Sequence, residues 1–486
     1  MNYLMTKIKN IPIQYYLFVL MILPCLIFNK TFDDDGYFLL KHGEYIINNR
    51  IPTIEPFTMH QNLNFVMQQW LYAAIIYLIH NTFGQMAVMF FIMIIFIIST
   101  IFLQKTLEII CNNKILSYIL TFPSTFIMLF FTRTRPITFT YLLIILLFYS
   151  LLKYTKTKKI KWLILLPIIS LVQINIHCSM WIFLFIMILP FLFEIKCFTS
   201  NSIYSEDYDK KPILVAIILM IITGFLNPYN YKAMIYVFKS ISSIDIGISE
   251  MATPTILNAS GTMIIAFTVL TTIFFINIKE KIHIRYLFLY WGSLVLVLFA
   301  LRNLPFFALS FSFLAAEILK NVDIKKILTN VFGIYEIYIP IITIICIILS
   351  FNCIFPKEKQ LSVQMNDSYE AINYLATNYD INDKTAYTHY NNGSYAMYKG
   401  LKIYIDARME VYLYSQNKKF DYIQEFNLLQ NGRISKEKFI DKYNFDYLIL
   451  DYTDILFEQK NEIKGYTEIY TNKQCSILIK NNLLSD

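Results

Sequence analysis

The segment YYLFVLMILPCLIFNKTFDDDGYF, residues 15–38, frames the reading of the whole chain. An apolar run from Tyr15 to Phe28 is followed by three consecutive carboxylates, Asp33, Asp34 and Asp35, and then by Gly36-Tyr37-Phe38. A single carboxylate at a bilayer centre costs roughly 2.5–3.5 kcal/mol even on the milder insertion scales. The run therefore reads as a membrane helix, and the Asp cluster marks a membrane surface.

The composition agrees. Of 486 residues, 56% are apolar and 16% are charged, where about 25% charged is usual for a soluble domain. Apolar runs recur as far as Phe355. They predict an all-α polytopic membrane bundle of about 11–12 transmembrane helices over residues 1–356, with the lipid bilayer as its solvent. The net charge of +8 lies largely in loops. It follows the positive-inside rule and leaves no nucleic-acid footprint. The seven cysteines are scattered, without disulfide or zinc spacing. No small-residue cleavage site follows Phe28, so the first run is expected to be retained.

Lys7 and Lys9 place the N-terminus in the cytoplasm, and the first helix then carries the Asp cluster outside. The first external loop, 31–68, follows. Within it, residues 36–48 (GYFLLKHGEYIIN) suit a helix lying in the interface, and Pro52 and Pro56 break it. Residues 65–82 form a short apolar stretch and 84–104 a full span. The basic loop KYTKTKKIK (153–161) and the loop between Lys105 and Lys114 both belong in the cytoplasm. They can both lie there only if 65–82 is re-entrant or half-crossing. Helices at roughly 115–132 and 136–152 then put Arg133-Thr134-Arg135-Pro136 outside. Further spans over 162–175, 180–193, 213–226, 259–277, 286–301, 304–319 and 334–355 bring Asn175, His177, Asn227-Pro228-Tyr229, Glu250 and Arg302-Asn303 to the same face.

Beyond Phe355 the chain turns polar. KIYIDAR (402–408), FDYLILDY (445–452) and CSILIK (475–480) alternate as strands do. YEAINYLATN (369–378) and SKEKFIDKYN (435–444) have helical spacing. Residues 357–486 are expected to form a small C-terminal extracytoplasmic α/β domain.

The outer face thus collects carboxylates and arginines. A carboxylate serves as a general base towards a hydroxyl, and an arginine fork matches a phosphate bidentately. Together they suit group transfer from a lipid phosphate. Each residue also has a plainer reading. The Asp run can simply end the first helix, Arg133 and Arg135 can snorkel, His177 can be packed, Glu250 solvated, and Trp70 an interfacial anchor.

The set of motifs resembles a family. Asp33-Asp34-Asp35-Gly36-Tyr37 with Gly43, Pro52, Glu55-Pro56-Phe57-Thr58 and Gln69-Trp70-Leu71 looks like the first external loop of bacterial GT-C type glycosyltransferases. The likeness continues in Arg135-Pro136, Asn175-Ile176-His177, Asn227-Pro228-Tyr229, Ile248-Ser249-Glu250 with Pro254, and Arg302-Asn303-Leu304-Pro305. In the tail it reaches Asn392-Gly393-Ser394-Tyr395 and Tyr404-Ile405-Asp406-Ala407-Arg408. Two positions depart from it: Gln69 stands where the family has Glu, and Glu55 where it has Asp.

The resemblance implies a GT-C-like bundle in the plasma or inner membrane. It implies transfer of a sugar from a polyprenyl-phosphate donor to a glycan, lipid or protein acceptor at the extracytoplasmic face. Asp33 or Asp35 is then the base, with Asp34 at the variable middle position. Arg133, Arg135 and Arg302 hold phosphate, and His177 and Glu250 line the substrate site. That site is expected between the first loop and the outer helix ends, under the C-terminal domain. Some relatives use a divalent cation, magnesium or manganese, and Asp33, Asp35 and Glu55 offer hard oxygen ligands for one. The rival readings are a lipid-linked sugar flippase, disfavoured by spans almost bare of charge, and a non-catalytic envelope-assembly protein.

Overall fold

In a bilayer each backbone N–H and C=O must find its partner within the protein, so an uninterrupted apolar run becomes a helix. The computed structural model describes residues 12–26, 32–194, 203–241, 252–256, 258–277, 281–332, 335–354 and 367–484. Among them, Gln85–Cys111, Lys114–Phe131, Ile137–Thr157, Ala259–Ile276 and Leu301–Ile318 are long and apolar enough to cross a membrane. Six further apolar helices, Ile13–Leu26, Ile160–Ile176, Cys178–Leu192, Lys211–Gly224, Ile284–Phe299 and Tyr338–Ile348, are shorter than the about 20 residues a perpendicular span takes. The chain is a membrane protein with a helical bundle and a small C-terminal sheet region.

Two compact units make up the chain. The first comprises Met1–Asn29, Met89–Met234 and Gly247–Lys357, and the second Lys30–Val88, Ile235–Ile246 and Glu358–Asp486. Residues 32–68 thus pack within the unit that holds the tail.

At the heart of the first unit every residue of Leu304–Ile318 is buried. Its small polar residues clasp the neighbouring helix Lys114–Phe131. Ser124 Oγ lies 2.8 Å from both the Ala308 carbonyl and Ser312 Oγ, and Ser312 donates to the Leu120 carbonyl. Ala259–Asn277 instead leaves Val269, Ile273 and Ile276 exposed, as suits a lipid-facing helix. Helix Gln85–Cys111 continues seven residues beyond the expected end at 104. The extension holds because Gln104 Nε2 donates to Glu108 and to Ser117, which satisfies its polar atoms inside the protein.

Polar groups gather at two opposite ends of this unit. Arg285 opens helix Ile284–Phe299, and Arg302-Asn303 follow its last turn. At the Arg285 end, β1 (Ile203–Tyr204) and β2 (Ile282–His283) pair in parallel. There Arg285, 2% exposed, bridges Glu194 and Glu206, while His283 and Lys320 both reach Glu317 at 2.7 Å.

In the second unit, helix Asp34–Asn48 packs against helix Trp70–Phe83 at Gly43. A Cβ there would lie 2.2 Å from the Ala73 carbonyl oxygen, so only glycine permits the approach. Trp70–Phe83 has 14 residues, too few to cross alone, and Gly84 ends it with φ +80°. The tail forms a five-stranded sheet from β3 (Thr385–Thr388), β4 (Lys402–Ile403), β5 (Tyr447–Asp451), β6 (Tyr466–Thr471) and β7 (Cys475–Lys480), in the order β4-β3-β5-β7-β6. β3 pairs in parallel with β4 and β5, while β7 runs antiparallel to β5 and β6. All five residues of β5 are buried. The expected strand 402–408 ends at Ile403. It ends there because the Asp406 carboxylate accepts the Arg408 N–H at 2.8 Å, folding the chain into a side-chain turn. The first loop completes the β4 edge: Thr58 bridges Ile403 in parallel, and the Met59 N–H donates to the Ile403 carbonyl.

Candidate functional site

The three aspartates occupy three different settings. Asp33 is the N-cap of helix Asp34–Asn48, and its Oδ1 accepts the Gly36 N–H at 3.1 Å. Asp34 and Asp35 fall in the first turn, where the helix dipole favours negative charge. Asp34 is held by the tail. Its carboxylate accepts the Ser394 and Tyr395 backbone N–H groups at 3.3 and 3.1 Å and the Tyr369 hydroxyl at 3.4 Å. Burial pushes this carboxyl well above the usual carboxylate range. The Ser394 hydrogen bond opposes the rise, and the charges of Asp35 and Asp406 add to it. The middle position, read from sequence as variable, is therefore the tethering one. Asp33 and Asp35 are both half-buried. Around Asp34, the Tyr37 ring meets Tyr369, Tyr395 and Tyr398 with centroids 4.6–5.5 Å apart.

Glu55 belongs to a buried ion network. Its Oε2 accepts from Arg408 Nη1 and lies 3.2 Å from His42 Nε2, while its Oε1 accepts the Phe57 N–H at 3.1 Å. Arg408 also forks onto Asp406 through Nε and Nη2, and Tyr412 donates to the same carboxylate. His42 Nδ1 donates to the Phe38 carbonyl at 2.9 Å, which turns Nε2 towards Arg408 and Glu55. Burial alone would raise the Glu55 carboxyl, but the Arg408 guanidinium and then His42 bring it down to about 2. The rings of Phe38 and Phe65 lie 5.5 Å from the Arg408 guanidinium carbon.

Glu55, expected among the cation ligands, is engaged by Arg408 and His42. Glu55 neutralises Arg408 instead of standing ready for a cation, and Asp33 caps a helix. No group of three His, Cys, Asp or Glu side chains among the described residues is placed to hold a metal ion. Gln69 is buried at the N-cap of Trp70–Phe83 with its Oε1 unbonded. A neutral amide is cheaper to bury there than the carboxylate expected from the resemblance.

The arginines lie in the first unit. Arg133 is exposed and Arg135 half-buried in the turn before helix Ile137–Thr157. His177 follows the last residue of helix Leu165–Ile176, and its Nδ1 lies 2.9 Å from Thr140 Oγ1. Burial first, then the positive charges of Arg302 and Arg135, lower its pKa to about 3. Arg135, His177 and Arg302 therefore share one electropositive neighbourhood, and the imidazole stays neutral. Asn175 Nδ2 donates to the Leu226 carbonyl, and the Asn227 side chain folds the Asn227-Pro228-Tyr229 turn. Glu250 lies outside the described residues.

Sequence reasoning missed His42 and Arg408 as partners of Glu55, and Asp406 as the second carboxylate on Arg408. The signal was present in the charged alternation of Tyr404–Arg408, which suits a buried pair better than a solvated strand face.

The sequence matches no protein-family profile and no curated protein. Solved structures do match. Archaeal oligosaccharyltransferase AglB from Archaeoglobus fulgidus, in complex with an inhibitory peptide and a dolichol-phosphate, aligns over 90% of this chain and 69% of its own, with TM-score 0.60 and 10% identity. The same enzyme tethered to an acceptor peptide aligns over 95% and 73%, with TM-score 0.57 and 10% identity. Its complex with Zn and sulfate aligns over 90% and 68%, with TM-score 0.53 and 11% identity. This chain therefore has the GT-C fold of the archaeal oligosaccharyltransferase.

Proposed function

We propose that this protein is a membrane glycosyltransferase that moves a sugar from a polyprenyl-phosphate donor to an acceptor hydroxyl at the extracytoplasmic face. The observation that carries the reading is a GT-C fold aligned over 90% of the chain with an enzyme held in complex with dolichol-phosphate. The grouping of Arg135, His177 and Arg302 supports it. In the reaction the acceptor oxygen bonds to the anomeric carbon as the bond to the phosphate oxygen breaks. Asp35 or Asp33 takes the hydroxyl proton. Arg135 and Arg302, with exposed Arg133, bind the polyprenyl phosphate and stabilise the charge that grows as it leaves. His177, kept neutral, donates or accepts a hydrogen bond without adding charge. Glu250 is assigned to the substrate site. The N-terminus lies in the cytoplasm and residues 357–486 lie outside.

The test is turnover of polyprenyl-phosphate sugars by the purified full chain in lipid. Loss of transfer in Asp35→Asn, with membrane level and protease resistance retained, supports the reading. Transfer that survives both Asp33→Asn and Asp35→Asn sinks the general-base assignment. A non-catalytic assembly role is favoured by one feature: two of the three aspartates, Asp33 and Asp34, already hold structure. That role predicts no turnover by the wild type with any donor.

A further inference from the structure

The tail carries a cleft that the reaction scheme does not use. It has a volume of about 550 Å³, and Tyr414, Lys419, Phe420, Asp421, Gln424 and Glu425 line it. That volume lies within the range of small-ligand sites. Two of these residues are aromatic and face solvent: Tyr414 is 56% exposed and Phe420 41%. Phe420 is held in place. Lys442 Nζ stands 4.5 Å from the Phe420 ring centroid, and Tyr422 packs on the same ring at 5.1 Å. Lys419 is fixed as well, by donating to the Gln61 carbonyl at 2.8 Å, so the cleft adjoins the first loop.

Its charges balance. Lys419 is matched by Asp421, and Glu425 is paired with Lys442 at 2.6 Å. A phosphate or nucleotide ligand needs a positive surplus, which is lacking here. A purely apolar ligand would strip water from two carboxylates and an ammonium. The walls come from the helices Tyr414–Asn417 and Tyr422–Gln430 and the turns beside them, so no strand edge is offered to a peptide backbone. Exposed aromatic faces beside neutral and paired polar groups suit a ligand with apolar CH faces and hydroxyl edges. That is the chemistry of an uncharged sugar chain.

We propose that this cleft binds a neutral oligosaccharide, as the acceptor or product glycan of the reaction. Only the second half of that statement rests on the glycosyltransferase reading. Tyr414 and Phe420 stack on sugar rings, and Gln424 and Asp421 bond the hydroxyls.

The test titrates linear neutral oligosaccharides of glucose, mannose, galactose and N-acetylglucosamine into the purified full chain, read by saturation-transfer NMR and calorimetry. At least one series should bind saturably in the millimolar range or tighter. Tyr414→Ala and Phe420→Ala should each weaken it about tenfold, and Tyr414→Phe should restore most of the loss. Gln424→Ala, at an exposed position, provides a milder variant. Asp35→Asn should bind like the wild type. The proposal is overturned if no neutral series binds, if phosphorylated sugars or peptides bind in preference, or if binding ignores both aromatic variants. Sugar transfer without cleft binding removes the cleft and leaves the enzyme. Cleft binding without transfer does the reverse.

Discussion

The guanidinium of Arg408 closes on the carboxylate of Glu55 across 353 positions of sequence, with both side chains out of solvent. The pair ties the segment after the first helix to the tail within one unit. It also explains why a carboxylate that looked available for chemistry is a structural counter-ion.

Breaking that pair from one side leaves an uncompensated buried charge. Arg408→Met should destabilise the second unit by about 3–5 kcal/mol. Adding Glu55→Gln should recover part of the loss, because one of the two carboxylates left behind is then neutral, the other being Asp406. The urea dependence of protease protection of the tail measures both. Equal losses in the single and double variants would show that the pair is not coupled.

Gly393 meets Ile405 as closely as Gly43 meets Ala73. A Cβ at Gly393 would lie 2.2 Å from the Ile405 carbonyl oxygen, which is backbone and cannot swing aside. Gly393→Ala and Gly43→Ala should each cost about 1–3 kcal/mol or more. Gly292, where an added Cβ would meet nothing within 4 Å, should accept alanine without loss. Thermal stability of the three variants in detergent decides the matter.

Asp33 has a capping duty that can be separated from any chemistry. Asp33→Ser keeps an N-cap acceptor, whereas Asp33→Ala removes it at about 1 kcal/mol. Sugar transfer retained in Asp33→Ser and abolished in Asp35→Asn would assign the base to Asp35. The opposite pattern would assign it to Asp33.

The second unit should weaken in acid in two stages. His60 is buried, with Nε2 donating to the Tyr404 carbonyl at 2.8 Å, and burial lowers its pKa from 6.5 to about 4. Between those values the unfolded chain binds the extra proton, so stability falls as pH drops from 6.5 to about 4, by on the order of 3 kcal/mol. Glu55, lowered from 4.5 to about 2, adds a second loss between those values. Asp34 acts in the opposite sense. Its raised carboxyl contributes most below the usual carboxylate range and loses that contribution as pH rises. His60→Gln, which keeps a donor for Tyr404, should flatten the upper stage and spare the lower. An unchanged pH profile in that variant would count against the assignment.

Much of the fold was legible because the bilayer demands long apolar runs. Ala259–Asn277 and Leu304–Ile318 lie where hydropathy put them, to within a residue. The strand Cys475–Lys480 lies on its expected bounds as well. What escaped was anything decided by distant partners. β3 (Thr385–Thr388) is four residues long and too short to show alternation. Tyr404–Arg408 alternates but leaves the sheet because Arg408 turns inward to Glu55 and His42 and Asp406 turns to Arg408. At the site, the roles of Asp33 and Asp34 follow from a helix start and from two N–H groups some 360 positions away, and local sequence carries no trace of the second.

The Glu55–Arg408 pair also sets a timetable. At about 5–20 residues per second, the ribosome needs roughly 20–70 s to proceed from one partner to the other. Throughout that interval Glu55 and His42 have no Arg408 to meet, while the intervening membrane helices are being inserted. The loop that bears the aspartates must therefore wait, hydrated and incomplete, until nearly the whole chain has been made. A truncated product that reaches the membrane would carry the aspartates without the tail N–H groups that hold Asp34, and so would lack the order that the finished chain imposes there.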